Sequence, residues 1–341
     1  MSPRRRAGNE RTWEPLDVRS TVAPAERLAR LELEVTRRLD GLVHGDFLGV
    51  AVGPGSEPSD ARPYAPGDDA RWIDWNLTAR SAAVQTRLTE PDRELELWLL
   101  ADVSPSLDFG TARVEKRDLV LAAAAAFGLR TLGHGNRVGL MIVGDGPPRI
   151  FPARSDRSSV LAALSALATH RRRDCGSDHD ADLRAGLERM RRISHRRGVV
   201  VVMSDFLERT PWPRALAQVA LHHDVVAVHV VDPRELALPS VGMVAMVDAE
   251  TGAVIDVQTH SAPLRERYAT AARARHDAIA AELHAAGAWS VELSTDRDWV
   301  LDLARFFARS HPRRVQRSPL QRRSHATTSG RARSGAEAAS R

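Results

Sequence analysis

At 341 residues with 43% hydrophobic content, the chain can hold one large domain or two small ones around a real core. No apolar run approaches the roughly 18 residues that a membrane-spanning helix needs, and the charged start Met1-Ser2-Pro3-Arg4-Arg5-Arg6 is followed by no apolar stretch, so a cytoplasmic location without a secretory leader is expected. The formal charge of +5 is uneven: eight arginines face one glutamate from His311 onward and four face one in the first eleven residues, which leaves residues 12–310 at −5, an acidic folded part with basic tails.

In chain order, residues 1–24 mix arginine, proline and polar residues and are expected to be flexible. Leucines at helical spacing predict an amphipathic helix over 25–39. Residues 45–55 are apolar and punctuated by glycine, which suggests a short strand and turn, and Pro66-Gly67-Asp68-Asp69 reads as a tight turn. Strands are predicted over 84–88 and 95–101, then an alanine-rich helix over 112–132, a strand over 137–143 and a short edge strand over 149–151. Helices over 158–169 and 182–195 lead to a valine-rich strand over 199–203. A helix over 213–222, a strand over 225–231 and a hairpin of 243–248 with 254–257 follow. The helix 263–286, the strand 289–293 and the helix 299–309 complete the pattern. Strands separated by helices imply an α/β fold with parallel pairing and right-handed crossovers. From 311 the chain loses aromatics and apolar periodicity, so a disordered tail is expected. The expected divisions are 1–24 flexible, 25–93 an N-terminal helix and β-containing module, 94–310 the α/β domain and 311–341 the arginine-rich tail.

Chemistry concentrates where the 95–101 strand ends, at Asp102-Val103-Ser104-Pro105-Ser106. A carboxylate and two hydroxyls at i, i+2 and i+4 fall in a strand-to-helix loop, and open α/β sheets bind ligands at the carboxyl ends of their strands. Oxygen donors of this kind suit a hard cation, Mg²⁺ or Mn²⁺. Asp205 closes the second apolar strand and offers another carboxylate. Serine and aspartate also cap helices without any metal; the second strand-end aspartate favours the metal reading. Cys175 with His170 and His179 lacks the paired spacing of a zinc site, and as the lone cysteine it excludes an internal disulfide. No phosphate-binding Gly-x-x-x-x-Gly-Lys loop and no Gly-x-Ser-x-Gly elbow is present. Lys116 is the only lysine among 49 basic residues, a bias that reads as composition rather than chemistry.

The pentapeptide resembles the metal-ion-dependent adhesion site of von Willebrand factor A domains, whose first loop reads Asp-x-Ser-x-Ser. Upstream, Arg62, Tyr64, Pro66, Gly67, Asp68, Asp69, Arg71, Ile73, Asp74 and Trp75, continuing to Ala79 and Arg80, are similar to the signature of the bacterial domain-of-unknown-function family fifty-eight. The resemblance covers roughly residues 41–309, including Ser204-Asp205-Phe206-Leu207. It implies a von Willebrand A-like open, mostly parallel sheet flanked by helices. It also implies metal coordination through Ser104 and Ser106, with Asp102 and Asp205 acting partly through water. The family's second loop usually reads Gly-x-Thr-Asp-Leu. Aligned on Asp182-Leu183, the threonine position holds Ala181, which cannot ligate, so Ser177, Asp178 or Asp180 would have to substitute. Asp68, Asp69, Arg71, Asp74 and Arg80, around Trp72 and Trp75, are expected to form an ion-pair network holding the N-terminal module to the α/β domain.

The function this implies is a non-enzymatic interaction module completed by a partner's carboxylate. Members of the family are typically encoded beside MoxR-type AAA+ ATPases, which makes such an ATPase and a client protein the expected partners in assembly or maturation. The alternatives are a metal-dependent hydrolase using Asp102 and Asp205, or a nucleic-acid-associated factor working through its tails. The tail's arginines could neutralise phosphates without sequence preference, but it has no aromatic residue to stack on bases.

Overall fold

The computed structural model describes residues 28, 30, 31, 33, 35–39, 57–65, 73–81, 83–90, 95–132, 135–144, 146–171, 183–208, 210–248 and 252–310. The expectations for residues 1–24, 45–55, 66–69, Ser177 with its loop, and 311–341 fall outside these residues.

Two strands, β1 (Glu57–Pro63) and β2 (Gln85–Glu90), form an antiparallel pair, with the short helix α1 (Trp75–Thr78) between them. No strand was predicted over β1, whose sequence, EPSDARP, has neither β-branched residues nor alternation. Asp74 caps α1, accepting from the Leu77 N–H at 3.0 Å. Trp75 is 68% exposed, and Asp68, Asp69, Arg71 and Trp72 of the expected ion-pair network lie outside the described residues.

The main sheet has six strands. They are β3 (Glu96–Asp102), β4 (Arg137–Val143), β5 (Arg149–Arg154), β6 (Gly198–Ser204), β7 (Asp224–Val231) and β10 (Trp289–Ser294), ordered β10-β7-β6-β3-β4-β5. Every neighbouring pair is parallel except β4 with the edge strand β5. The remaining hairpin, β8 (Met243–Val247) with β9 (Val254–Gln258), stands apart from this sheet. The central strands are buried along their length because helices cover both faces, so they read as continuous apolar runs rather than alternating ones.

One face packs α2 (Lys116–Thr131), α3 (Arg157–Ala168) and α8 (Trp299–Ser310) over the odd-numbered residues of β3 and β6. Leu28, Leu31, Val35 and Leu39, at the spacing expected of the predicted N-terminal helix, join the same core, and Arg38 pairs with Asp298 at 2.5 Å. Five consecutive alanines of α2, Ala122 to Ala126, are all buried; such small side chains let the helix lie close to the sheet. The other face carries α4 (Leu183–Ile193), α5 (Trp212–Ala220) and α7 (Ala262–Ala285). A further one-turn helix, α6 (Pro233–Leu236), follows β7. Among the described residues no helix is long and apolar enough to cross a membrane.

Candidate functional site

From β3 the chain builds outward to β4 and β5 on one side, then returns to build β6, β7 and β10 on the other. The connections leaving β3 and β6 therefore run in opposite directions, and the crevice between their carboxyl ends is a topological switch point. Asp102 ends β3 and Asp205 follows β6, so the two predicted carboxylates meet there. Both are buried, with 4% and 3% exposure.

The loops around them are closely specified. Asp102 accepts the Ser104 N–H on Oδ1 at 2.8 Å and the Ser204 hydroxyl on Oδ2 at 2.6 Å. Ser104 and Ser106 place their hydroxyl oxygens 3.1 Å apart, and Pro105 begins a 3-10 turn over Pro105–Asp108. Gly144, at φ +111°, lies against this loop; a Cβ there would sit 2.7 Å from the Ser104 nitrogen. After Asp205 the buried Phe206 takes a left-handed conformation, φ 55°, a costly state for a non-glycine residue. Its amide donates to the Ser204 hydroxyl at 2.9 Å and its ring packs on Trp212, which together hold it there.

The structure adds a group that the sequence reading set aside. Lys116, the chain's single lysine, is completely buried and donates from Nζ to Asp205 Oδ2 at 2.7 Å and to Glu235 Oε1 at 2.5 Å. It opens α2, where the helix dipole disfavours a cation; the two carboxylates outweigh that penalty. A lysine presents one compact point charge on a slim stem, whereas arginine presents a broad planar fork. The lone lysine of an arginine-rich chain thus has a specific structural place at the start of α2, between Asp205 and Glu235. Glu235 is delivered by Asp232-Pro233-Arg234-Glu235: Asp232 accepts from the Arg234 N–H at 2.8 Å and Glu235 returns to the Asp232 N–H at 3.1 Å. Asp232 also accepts from the Thr111 N–H and hydroxyl and from the Thr295 hydroxyl, at 2.8, 2.7 and 2.6 Å.

These contacts set the ionisation of the cluster. Burial, and then the neighbouring Asp205, push Asp102 up to about 6, against the hydrogen bonds from Ser204 and Ser104. Burial also pushes Asp205 up, but the Lys116 charge and hydrogen bond outweigh it, helped by the Leu207 N–H and the Ser106 hydroxyl, and hold the carboxyl below its ordinary value. Lys116 rises because Asp205 and Glu235 outweigh its desolvation. Glu235 rises through burial, in spite of Lys116. The donor set fits a hard cation: two hydroxyls and an anionic excess of three carboxylates over one ammonium.

A second polar group lies along the same strand ends. Strand register pairs Ser204 with His229 and His229 with Glu292, so Asp102, Ser204, His229 and Glu292 form a row across β3, β6, β7 and β10 on the α7 side. His276 of α7 stacks on His229 with centroids 5.3 Å apart and bonds Glu292 through Nε2 at 2.7 Å. Sequence reading missed these three residues because they are separated in sequence and match no local spacing.

The family model for "Protein of unknown function DUF58" matches residues 60–278. The chain belongs to the DUF58 family. The uncharacterized proteins Rv1480 of Mycobacterium tuberculosis (strain ATCC 25618 / H37Rv) and Mb1516 of Mycobacterium bovis are each 44% identical to it over 284 residues, covering 83% of this chain and 89% of theirs. Among solved structures, BatB from Bacteroides thetaiotaomicron is similar at 12% identity and TM-score 0.39, over 63% of this chain and 98% of that one. A von Willebrand factor type A protein from Catenulispora acidiphila is similar at 14% identity and TM-score 0.36, over 67% and 44%. At these scores the likenesses add nothing to the sheet order itself, which carries the open α/β architecture expected of this DUF58 chain.

Proposed function

We propose that this DUF58 chain is a non-enzymatic protein-interaction module whose switch-point cluster holds Mg²⁺ or Mn²⁺. The observation that supports it is the convergence of Asp102, Ser104, Ser106 and Asp205 from two loops. Ser104 and Ser106 would hold the ion, with Asp102 and Asp205 balancing its charge; Ser177, the candidate from the second loop, lies outside the described residues. When bound, the ion supplies a Lewis-acidic position that a partner's carboxylate can complete. The chain's own residues do the rest. Lys116 anchors the Asp205 loop to α2 and to Glu235, so the loops are fixed before any partner arrives. Phe109 and Leu207, 40% and 37% exposed, lie on those loops and supply an apolar rim for the contact.

The partner proposed from the family resemblance is a MoxR-type AAA+ ATPase, which would supply the energy for assembly or maturation of a client. The test is a pull-down from the source lysate with the full chain, in Mg²⁺ and in chelator, beside Asp102→Ala. An ATPase retained by the native chain only in Mg²⁺, and lost by the variant, is the expected result. Undiminished retention in chelator, or by the variant, sinks the metal mechanism. A metal-dependent hydrolase is the second reading, in which the two buried carboxylates Asp102 and Asp205, brought together at the switch point, would hold the ion. Phosphatase turnover that disappears in Asp205→Ala would establish it instead.

A further inference from the structure

We propose that His229, His276 and Glu292 form a second metal site, for a borderline transition-metal ion with Zn²⁺ foremost. Each residue offers one ligand atom, and the three atoms lie within 4.8 Å of one another. Two imidazoles and one carboxylate are a donor set that zinc accepts, and three protein ligands leave a fourth tetrahedral position open. Zinc bonds of about 2.0–2.2 Å would draw the three atoms closer together, a change within reach of side-chain rotation at half-buried His276 and Glu292.

The three ligands stand on separate supports. His229 and Glu292 are register partners on adjacent strands, β7 and β10, and His276 comes from α7, which packs over them. His229 is 6% exposed, and among the described residues neither of its ring nitrogens has a hydrogen bond. A ring nitrogen without a hydrogen-bond partner leaves a lone pair that an ion at this point can take. His276 and Glu292 now share a hydrogen bond, which an ion bound at Nε2 would replace, the ring then keeping its N–H on Nδ1. The outer groups that orient metal ligands are also in place. Arg297 donates to the other Glu292 oxygen at 2.6 Å, and Asp277 lies 3.5 Å from His276 Nδ1.

The open position would face a cavity of about 390 Å³ whose wall includes His229, His276, Asp205, Glu235 and Tyr268. This second site therefore borders the Lys116 network while sharing no ligand with it. The inference does not rest on the proposed adhesion function, and either can fail alone.

The experiment uses the full chain without an affinity tag. Zn²⁺ is titrated against a chromophoric competitor, and Co²⁺ is followed by its visible ligand-field absorption. The expected result is one Zn²⁺ per chain, a Co²⁺ spectrum of low coordination number, and displacement of Co²⁺ by Zn²⁺. His276→Ala and Glu292→Gln, both at partly exposed positions, should each weaken Zn²⁺ at least about tenfold with unchanged circular dichroism, since loss of outer-shell partners alone costs that much. Asp102→Ala should bind Zn²⁺ like the native chain. Absence of Zn²⁺ binding by the native chain overturns the proposal. So does affinity unchanged in both ligand variants, or affinity lost in Asp102→Ala, which would move the ion to the switch point.

Discussion

The two polar clusters at the strand ends are solved in opposite ways. At the β3–β6 switch point, the sequence supplies an internal cation, and almost every buried oxygen has a donor from the chain itself: Lys116 for Asp205 and Glu235, hydroxyls and amides for Asp102 and Asp232. On the adjacent strand β7, His229 is also buried yet has no hydrogen bond among the described residues, and its neighbours bond to each other or to Arg297. In the first cluster the carboxylates are held in place by the chain's own donors, and the ion proposed there would bind through the Ser104 and Ser106 hydroxyls. In the second, one ligand atom of each residue is left to converge on a common point. Burial alone thus does not mark a binding group.

The sharpest way to break this contrast is to remove the internal cation. Lys116→Met would leave Asp205 and Glu235 without their ammonium, and a broken buried pair costs about 3–5 kcal/mol, read from urea unfolding. A loss under about 1 kcal/mol would mean that solvent already neutralises these carboxylates, and the first cluster would not depend on its internal cation. Thr295→Val comes next. It removes one hydroxyl donor from the buried carboxylate of Asp232, for an expected loss of about 1.5–3 kcal/mol by the same measurement.

The smallest effect is one of pH. Asp102 has a folded value of about 6 against an ordinary 3.8, so the folded chain holds this proton more tightly than the unfolded one. Stability contributed by Asp102 is present below the lower value and is lost as pH rises through roughly 4 to 6. An ion at the switch point prefers the carboxylate, so Mg²⁺ affinity should rise over the same interval. Calorimetric titration at about pH 5 and pH 7 checks this. An affinity that is flat between them would place the ion away from Asp102.

Much of the architecture was legible in the chain. The predicted strands at 137–143, 199–203 and 225–231 and the helices at 263–286 and 299–309 agree with the observed elements to within a residue or two, because buried strands and amphipathic helices each leave a local period. The strand at Glu57–Pro63 left no such pattern and is defined by its partner β2. Helix α6 was also missed, although Asp232 and Glu235 already carry a capping box in sequence.

What the sequence determined by itself is the alternation of strands and helices, and the Asp-x-Ser-x-Ser loop with its carboxylate at a strand end. Both are written within a few residues and need only local backbone geometry. Tertiary structure alone decided which distant side chains complete the chemistry. Lys116 reaches Asp205 across 89 positions and Glu235 across 119, and His229 meets Glu292 only because β7 and β10 pair in parallel register. Such meetings depend on strand order, and strand order is set by how helices cover the two faces of the sheet rather than by any short run of residues.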